Sequence, residues 1–145
     1  MKIVLQRVAK ASVRVGDEVV GQITRGYVAL LGIGTEDDKT MADRLIEKLK
    51  KLRLFPDAEG KTNLSIADVN GELLVVSQFT LYADCRKGNR PNFVSAAPPD
   101  IAEALYEYFI SAAKPHFVHV AHGSFGEAMQ VELVNDGPFT VILEV

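Results

Sequence analysis

The run from Leu73 to Ala83 is the feature that most constrains the fold, because it is long, apolar and interrupted only in its middle. Its residues, Leu-Leu-Val-Val-Ser-Gln-Phe-Thr-Leu-Tyr-Ala, predict a buried β-strand. The interruption consists of three polar residues, Ser77, Gln78 and Thr80. Polar side chains buried in a strand cost free energy unless they find hydrogen-bonding partners. The cluster therefore predicts a surface at which the sheet meets a polar ligand.

The rest of the chain divides into apolar segments of two periods. Short β-branched or continuously apolar runs predict further strands at 2–8, 11–15, 18–23, 27–33, 117–121, 129–134 and 139–145. Apolar residues at helical spacing predict one helix over 40–52, with Thr40 as its N-cap, and a second helix after Pro98-Pro99. This order predicts a single α+β (mixed α/β) domain over residues 1–145, in which two main helices accompany a curled, barrel-like β-sheet.

Composition excludes several classes of protein. With 145 residues and 48% hydrophobic side chains, the chain can bury a sizeable core without disulfides or metals. The single cysteine, Cys85, rules out an internal disulfide framework, and the net charge of −3 gives no overall basic field for nucleic acid. Any contact with RNA must therefore come from a local patch. Neither a signal peptide nor a run of about 20 apolar residues is recognisable, which predicts a soluble cytoplasmic protein.

Conventional metal and cofactor motifs find little support. His116, His119 and His122 do not share one face of a predicted strand, and no carboxylate or cysteine stands at ligand spacing beside them. Gly32-Ile33-Gly34 lacks the third glycine of a dinucleotide-binding loop, and no Gly-Lys-Ser/Thr phosphate loop is present. We therefore expect neither a metal nor a cofactor.

Basic residues cluster in a loop directly after the polar strand. Arg86, Lys87 and Arg90 flank Gly88 and Asn89, and such a loop either holds tRNA phosphates or is an ordinary solvated surface. The sequence leaves these two alternatives open. A second basic stripe, on the first helix, is more typical of a solvated helix face.

A second polar segment, Asn135-Asp136-Gly137-Pro138-Phe139-Thr140, consists mainly of turn-forming residues, and on propensity alone it predicts a turn between two strands. Together with Ser77-Gln78-Phe79-Thr80-Leu81, however, it resembles the two signature segments of the D-aminoacyl-tRNA deacylases. The opening segment, Met1 to Val8, also resembles the first strand of that family. The likeness covers the whole chain in length and in motif order, and no motif position departs from it.

The resemblance implies an ester hydrolase that removes D-amino acids from the 3′-terminal adenosine of tRNA. It also implies glycyl-tRNA as a substrate, including glycine wrongly attached to alanine tRNA, and a homodimer that works without a metal. In this family the Gly-Pro peptide is cis and reaches into the neighbouring subunit's pocket, which assigns substrate binding to Gly137 and Pro138. Two backbone carbonyls held there would form a stiff wall that admits a hydrogen and rejects a methyl group, so that L-amino acids are excluded.

The remaining site residues receive their roles from this chemistry. Thr80 is a tempting nucleophile, but a hydroxyl needs an activating base, and no His or Lys lies beside it in the sequence. We favour attack by water, assisted by the 2′-hydroxyl of the terminal adenosine, with backbone N–H groups around Phe79 and Thr80 as oxyanion donors. Ser77 and Gln78 are expected to orient the adenosine or the amino group. Arg7 is expected either to brace the Gly-Pro loop of the partner or to be a surface charge.

Three other functions remain open at this point. A related deacylase would remove a misattached L-amino acid, and such relatives are expected to hold the Gly-Pro bond trans. A non-catalytic tRNA-binding module using the loop from Arg86 to Arg90 would bind tRNA without cleaving the ester. A plain dimeric scaffold would do neither.

Overall fold

Six strands build one mixed sheet, and two helices cover one of its faces. The computed structural model describes residues 1–145. In chain order its elements are β1 (Lys2–Val15), β2 (Glu18–Ile23), β3 (Gly26–Gly32), α1 (Lys39–Lys51), β4 (Arg53–Pro56), β5 (Thr62–Ser65), β6 (Glu72–Ser77), α2 (Pro99–Ala113), β7 (Val120–His122) and β8 (Met129–Glu144). Short 3₁₀ helices lie at Phe79–Tyr82 and Lys114–His116, and β4 and β5 form a separate two-stranded sheet.

The long strand β1 organises the sheet. It pairs antiparallel with β3 through its first half, with β2 through its second half, and with β8 along most of its length. Strands β6 and β7 extend the sheet in parallel from β3. The sheet curls until β2 meets β7, where a Cβ atom added to Gly21 would lie only 2.6 Å from the carbonyl oxygen of His122. Only glycine permits this approach of two backbones, and the result is a nearly closed, barrel-like sheet.

Strand β3 is buried on both faces, as its continuously apolar sequence predicted. Tyr27, Ala29 and Leu31 on one face belong to the large core shared with α1 and α2. Val28 on the other face belongs to a smaller core inside the curled sheet, together with Leu74, Val76 and other apolar residues. The chain therefore forms a single α+β domain with two apolar layers, which confirms the predicted fold class.

Both predicted helices are present, but the first begins differently. Asp38 is the N-cap of α1, and its Oδ1 accepts a hydrogen bond from the backbone N–H of Met41 at 2.9 Å. The predicted N-cap, Thr40, lies inside the helix instead; Asp and Thr both suit the position, and the carboxylate two residues earlier takes it. Neither helix has the length and apolar character that a membrane span requires.

Several predicted strand boundaries were wrong, and two of the errors share one reason. The segments 2–8 and 11–15 form one strand, and so do 129–134 and 139–145. Pairing between β1 and β8 continues through irregular residues, because the ladder shifts register at bulges instead of breaking. The predicted strand at 117–121 is shorter and displaced, and is observed at Val120–His122.

Candidate active site

The polar cluster lies where β6 leaves the sheet. The prediction of one buried strand from Leu73 to Ala83 was wrong beyond Ser77, which is the last residue of β6. Ser77 is paired with Leu31 of β3, and the next N–H group, that of Gln78, donates to the carbonyl of Leu31 at 2.8 Å. After Gln78 the chain turns into the 3₁₀ helix Phe79–Tyr82. The polar side chains are therefore not buried within a strand, and they lie at an open edge of the molecule.

A cavity of about 720 Å³ opens beside this turn. Ser77, Gln78 and Phe79 line one side of it, and the rest of the wall is mainly apolar. The other lining residues are Ile33, Val76, Phe93, Val94, Ala96, Ala97, Pro98, Pro99, Ala102, Phe125, Gly126, Glu127, Met129 and Val131. A large apolar wall with a few polar groups at one end suits a ligand with a flat organic body and a polar reactive centre.

Two apolar residues of this wall, Phe93 and Val94, were not predicted from the sequence. Phe79 is 53% exposed, and its ring meets that of Phe93 edge to face, with 5.0 Å between the ring centroids. Val94 beside it is 80% exposed. Two large apolar residues exposed in a loop rich in Gly, Asn and Pro are a usable sequence signal, because such loops ordinarily present polar side chains to water.

Thr80 stands next to the cavity but does not line it. Its side-chain hydroxyl accepts a hydrogen bond from the amide nitrogen Nε2 of Gln78. A nucleophilic hydroxyl needs a neighbour that accepts its proton, whereas this neighbour donates one. The geometry therefore suits Thr80 as a polar positioning group and gives it no general base.

The second polar segment is a bulge within one strand, so the prediction of a turn between two strands was wrong. Asn135 pairs with Val8 and Thr140 pairs with Gln6, which leaves four residues of β8 opposite Arg7 alone. The side chain of Asn135 closes the bulge: its Oδ1 accepts from the N–H of Phe139 at 2.8 Å, and its Nδ2 donates to Oγ1 of Thr140 at 3.0 Å. The bulge therefore has a defined shape of its own.

Gly137 and Pro138 form the tip of this bulge. Their peptide bond is cis. Gly137 has a φ angle of +144°, in the region that side chains of L-residues rarely adopt. A Cβ atom added there would lie 2.9 Å from the backbone nitrogen of Phe139 and 3.2 Å from a guanidinium nitrogen of Arg7. Only glycine fits this position without a shift of the bulge.

Arg7 supports the bulge from beneath, within its own chain. The side chain is buried, with 8% of the residue exposed, so it is not a surface charge. Its Nε donates to the backbone carbonyl of Asp136 at 2.9 Å, and Nη1 donates to the carbonyl of Leu54. The guanidinium carbon also lies 4.8 Å from the centroid of the Phe139 ring. One side chain thus connects the bulge to β4 and to the core.

The two polar segments do not meet within one chain. Arg7, beneath the bulge, pairs with Tyr27 of β3, whereas Ser77 pairs with Leu31, four residues further along the same strand. Four residues of strand span about 13 Å. Accordingly, neither Gly137 nor Pro138 lines the cavity beside Ser77.

Comparison with known proteins covers nearly the whole chain. A family model described as D-Tyr-tRNA(Tyr) deacylase matches residues 4–144. The chain belongs to this family. It is 54% identical over 144 residues to a D-aminoacyl-tRNA deacylase of Thermosipho africanus (strain TCF52B), covering 99% of this chain and 97% of that protein. It is 52% identical to a D-aminoacyl-tRNA deacylase of Bacillus cereus (strain G9842), covering 99% of both.

Two solved structures share the fold. One, described as c-Myc DNA Unwinding Element Binding Protein, superposes with a TM-score of 0.94 at 42% identity, covering 100% of this chain and 99% of that one. The other, described as a probable eukaryotic D-amino acid tRNA deacylase, superposes with a TM-score of 0.86 at 16% identity, covering 99% of this chain and 98% of that one. At that lower identity the likeness concerns the fold alone.

The basic loop of this deacylase-family chain is only partly free to bind an anion. Arg86 donates from Nε and Nη2 to the two carboxylate oxygens of Asp84, at 2.8 and 2.7 Å. These bonds hold the pKa of the Asp84 carboxyl below its usual range. Lys87 and Arg90 are exposed and make no ion pair. None of the three basic residues lines the cavity, and no group of three His, Cys, Asp or Glu side chains is arranged to hold a metal ion.

Proposed function

We propose that the chain hydrolyses the ester bond between a D-amino acid and the 3′-terminal adenosine of tRNA. The observation that carries the proposal is the placement of Ser77-Gln78-Phe79, a signature segment of the family, on the wall of an open cavity of about 720 Å³. The apolar aromatic part of that wall suits a nucleobase, and the polar end suits the ester. The products are the free amino acid and tRNA, and this substrate assigns the activity to the cytoplasm.

The 3₁₀ helix supplies groups for this chemistry. Ester hydrolysis passes through a tetrahedral oxyanion, which backbone N–H groups stabilise when they point at it in advance. The first N–H groups of any helix have no acceptor within the helix. Here those groups belong to Phe79 and Thr80, the first two residues of the 3₁₀ helix. They are the oxyanion donors of the proposed mechanism.

Water is the proposed nucleophile, not Thr80. The amide of Gln78 donates to the Thr80 hydroxyl, which makes that oxygen less able to attack a carbonyl. The 2′-hydroxyl of the terminal adenosine lies next to the ester in the substrate itself and takes over the activation of water. Ser77 and Gln78 orient the adenosine and the amino group.

Stereoselection is assigned to Gly137 and Pro138 of a second copy of the chain. Two features support this assignment. The bulge lies about 13 Å along the sheet from the cavity of its own chain, so it can complete only another chain's site. Strand β8 pairs with β1 alone and exposes Val131, Val134 and Ile142, as a strand covered by a partner does. The proposed active form is therefore a homodimer with two composite sites.

The same geometry extends the substrate range to glycine. A backbone wall close to the α-carbon rejects an L side chain and leaves room for hydrogen. Glycine has hydrogen at both positions, so glycyl-tRNA passes the wall as a D-aminoacyl-tRNA does. Mischarged glycyl-tRNA is thus included in the proposed proofreading activity.

Charged tRNAs test the activity directly. Purified protein in the presence of a chelator is incubated with D-tyrosyl-, L-tyrosyl- and glycyl-tRNA, and the remaining ester is measured. We expect loss of the D-tyrosyl and glycyl esters and persistence of the L-tyrosyl ester. Equal hydrolysis of the D and L esters, or hydrolysis of neither, contradicts the proposal; binding without hydrolysis instead identifies a tRNA-binding module.

Mixed dimers test the composite site. Ser77→Trp fills the cavity of its own chain, and Gly137→Trp places a bulky ring at the tip of the bulge that blocks the partner's cavity, so each variant alone is expected to be inactive. After the two are mixed under exchange conditions, half of the dimers contain both chains and each has one intact composite site, giving about a quarter of wild-type activity. No recovery in a mixture shown to contain mixed dimers contradicts the exchange of Gly137-Pro138 between subunits.

A further inference from the structure

We propose that Asp37 and Tyr82 are positioning residues, which fix the Phe79 and Thr80 backbone for hydrolysis by clamping the far end of the 3₁₀ helix. This inference rests on the proposed function and adds to it two residues outside both signature segments. Neither side chain lines the cavity. Their action is therefore transmitted through the turn.

The carboxylate of Asp37 is buried and binds three different groups. Its side chain is 6% exposed, and Oδ1 forms an ion pair with the α-ammonium group of Met1. Oδ2 accepts from the backbone N–H of Gly34 at 2.6 Å and from the hydroxyl of Tyr82 at 3.2 Å. Burial and the nearby Asp37 carboxylate both raise the pKa of the Tyr82 phenol, so the hydroxyl keeps its proton and donates it. One carboxylate thus joins the chain start, the end of β3 and the active-site turn.

Two glycines let the turn lie directly on the end of β3. A Cβ atom added to Gly34 would lie 2.7 Å from the Tyr82 ring. One added to Gly32 would lie 3.0 Å from the Cβ of Leu81 and 3.1 Å from the carbonyl oxygen of Gln78. The segment Gly32-Ile33-Gly34, which has no dinucleotide-binding role, is therefore a seat for the 3₁₀ helix.

The turn is held at both ends, with the proposed catalytic groups between them. At its start the N–H of Gln78 continues the β3–β6 ladder, and at its end Tyr82 reaches Asp37. Only one helical turn separates the two anchors, so release at Tyr82 leaves the N–H groups of Phe79 and Thr80 free to shift. Misplaced oxyanion donors weaken binding of the transition state more than binding of the substrate. Loss of the anchor should therefore lower kcat and leave KM largely unchanged.

A matched pair of substitutions isolates this effect. Tyr82→Phe removes one hydroxyl and keeps the ring on its glycine seat. Tyr108→Phe removes a similar hydrogen bond, from the Tyr108 hydroxyl to Oδ1 of Asp43 at 2.9 Å, between α1 and α2 and outside the cavity. With D-tyrosyl-tRNA, we expect Tyr82→Phe to lower kcat about tenfold with KM within about twofold of wild type. Tyr108→Phe should stay within about twofold in both constants.

Hydrogen exchange gives a readout that needs no activity. The N–H groups of Leu81 and Ala83 donate within the turn, to the carbonyls of Gln78 and Thr80 at 3.2 and 3.0 Å. We expect these two amides to exchange at least tenfold faster in Tyr82→Phe and at the wild-type rate in Tyr108→Phe. Equal kcat values for the two variants, a change confined to KM, or unchanged exchange in Tyr82→Phe overturns the positioning role. An inactive wild type whose turn loosens in Tyr82→Phe instead overturns the proposed function.

Discussion

The two polar segments interrupt apolar strands in opposite ways. After Ser77 the strand ends, because β3 itself ends one residue beyond Leu31, the partner of Ser77, and the chain turns over Gly32 and Gly34. At Asn135 the strand continues, because β1 remains beside it and the extra residues are extruded as a bulge opposite Arg7. Polar residues in an apolar run therefore indicate an irregularity in the strand. Whether the strand ends there or continues through a bulge depends on whether the neighbouring strand continues beside it.

The two segments also differ in how they are supported. The turn at Phe79–Tyr82 lies on the end of β3 and is tied to a buried carboxylate. The bulge depends on a single long side chain, Arg7, and on the side chain of Asn135. Substitutions at the bulge should therefore have the larger effects, whereas the loss of one polar group from the turn should have a moderate effect.

The largest expected effect is at the tip of the bulge. Gly137→Ala places a methyl group where the φ angle of +144° disfavours it and where a backbone nitrogen lies 2.9 Å away. Displacement of a stereoselective wall by about 1 Å corresponds to about 100-fold in rate. We expect the ratio of D- to L-tyrosyl-tRNA hydrolysis to fall by about that factor, as measured by parallel deacylation assays.

Gly16→Ala is the matched control for this substitution. Gly16 also has a positive φ angle, +57°, but nothing lies within 4 Å of an added Cβ atom. Its backbone penalty of about 1 kcal/mol falls on the β1–β2 turn, away from the site. An unchanged D-to-L ratio in Gly137→Ala, or an equal fall in Gly16→Ala, would remove the bulge from stereoselection.

Loss of the brace beneath the bulge should cost both stability and stereoselectivity. Arg7→Met leaves the carbonyls of Asp136 and Leu54 without their donor, and each loss at a partly buried site costs about 1–3 kcal/mol. We expect urea unfolding to show a loss of about 2–6 kcal/mol in the free energy of unfolding. In buffer without denaturant, at a temperature where the variant is folded, the ratio of D- to L-tyrosyl-tRNA hydrolysis should fall at least about tenfold.

Arg25→Met is the matched control for Arg7→Met. It measures how much stability is lost when a guanidinium stacked on an aromatic ring is removed without loss of a buried carbonyl contact. Arg25 is exposed, and its guanidinium lies 5.1 Å from the Phe55 ring centroid, comparable with the 4.8 Å between Arg7 and Phe139. The stacking contribution at an exposed site is about 0.5–1 kcal/mol. Similar stability losses in the two variants would mean that the carbonyl contacts of Arg7 contribute little, and that the bulge supports itself.

Sequence patterns predicted the elements of the fold better than they predicted where one element ends and the next begins. The strand β3 and the two helices could be predicted because their apolar patterns are local, so that neighbouring residues in the sequence are enough to indicate them. The continuation of 129–134 and 139–145 as one strand could not be predicted in this way, because it depends on pairing with β1, more than a hundred residues away. Local propensity gave Asn135 to Thr140 the character of a turn, and tertiary pairing overrode it.

The site was predicted in parts for the same reason. Resemblance to family motifs singled out Ser77, Gln78 and Phe79, which do share a cavity wall. It could not reveal that Arg7 contacts its own chain's bulge, or that Asp37 reaches Tyr82 across 45 residues. Such long-range contacts leave no periodic trace in a single sequence.

A smaller effect is expected at Thr80, on the well-supported turn. Thr80→Ala removes a hydroxyl that accepts from Gln78 and contacts no base, so the deacylation rate should stay within about tenfold of wild type. Thr80→Val, which keeps the shape without the hydroxyl, should behave alike. Complete loss of hydrolysis in both variants, with unchanged tRNA affinity, would make Thr80 the nucleophile after all.

The smallest expected effect lies in the loop that follows the turn, and it concerns binding alone. Lys87 and Arg90 are exposed cations without ion-pair partners, whereas Arg86 is neutralised by Asp84. Replacing Lys87 and Arg90 by Ala should weaken tRNA binding a few-fold at low salt. It should also reduce the slope of log affinity against log salt by about 1.5, as expected for two lost phosphate contacts.

Replacing both Asp84 and Arg86 by Ala is the charge-matched control, because it removes a pair with no net charge from the same loop. If free cations hold the phosphates, this variant keeps both the wild-type affinity and the wild-type salt slope. If it weakens binding as much as the first pair, the loop acts through its shape, since the Asp84–Arg86 bonds order its backbone. If neither pair matters, the loop does not contact tRNA, and the basic stripe of Arg44, Lys48 and Lys51 on α1 becomes the next surface to test.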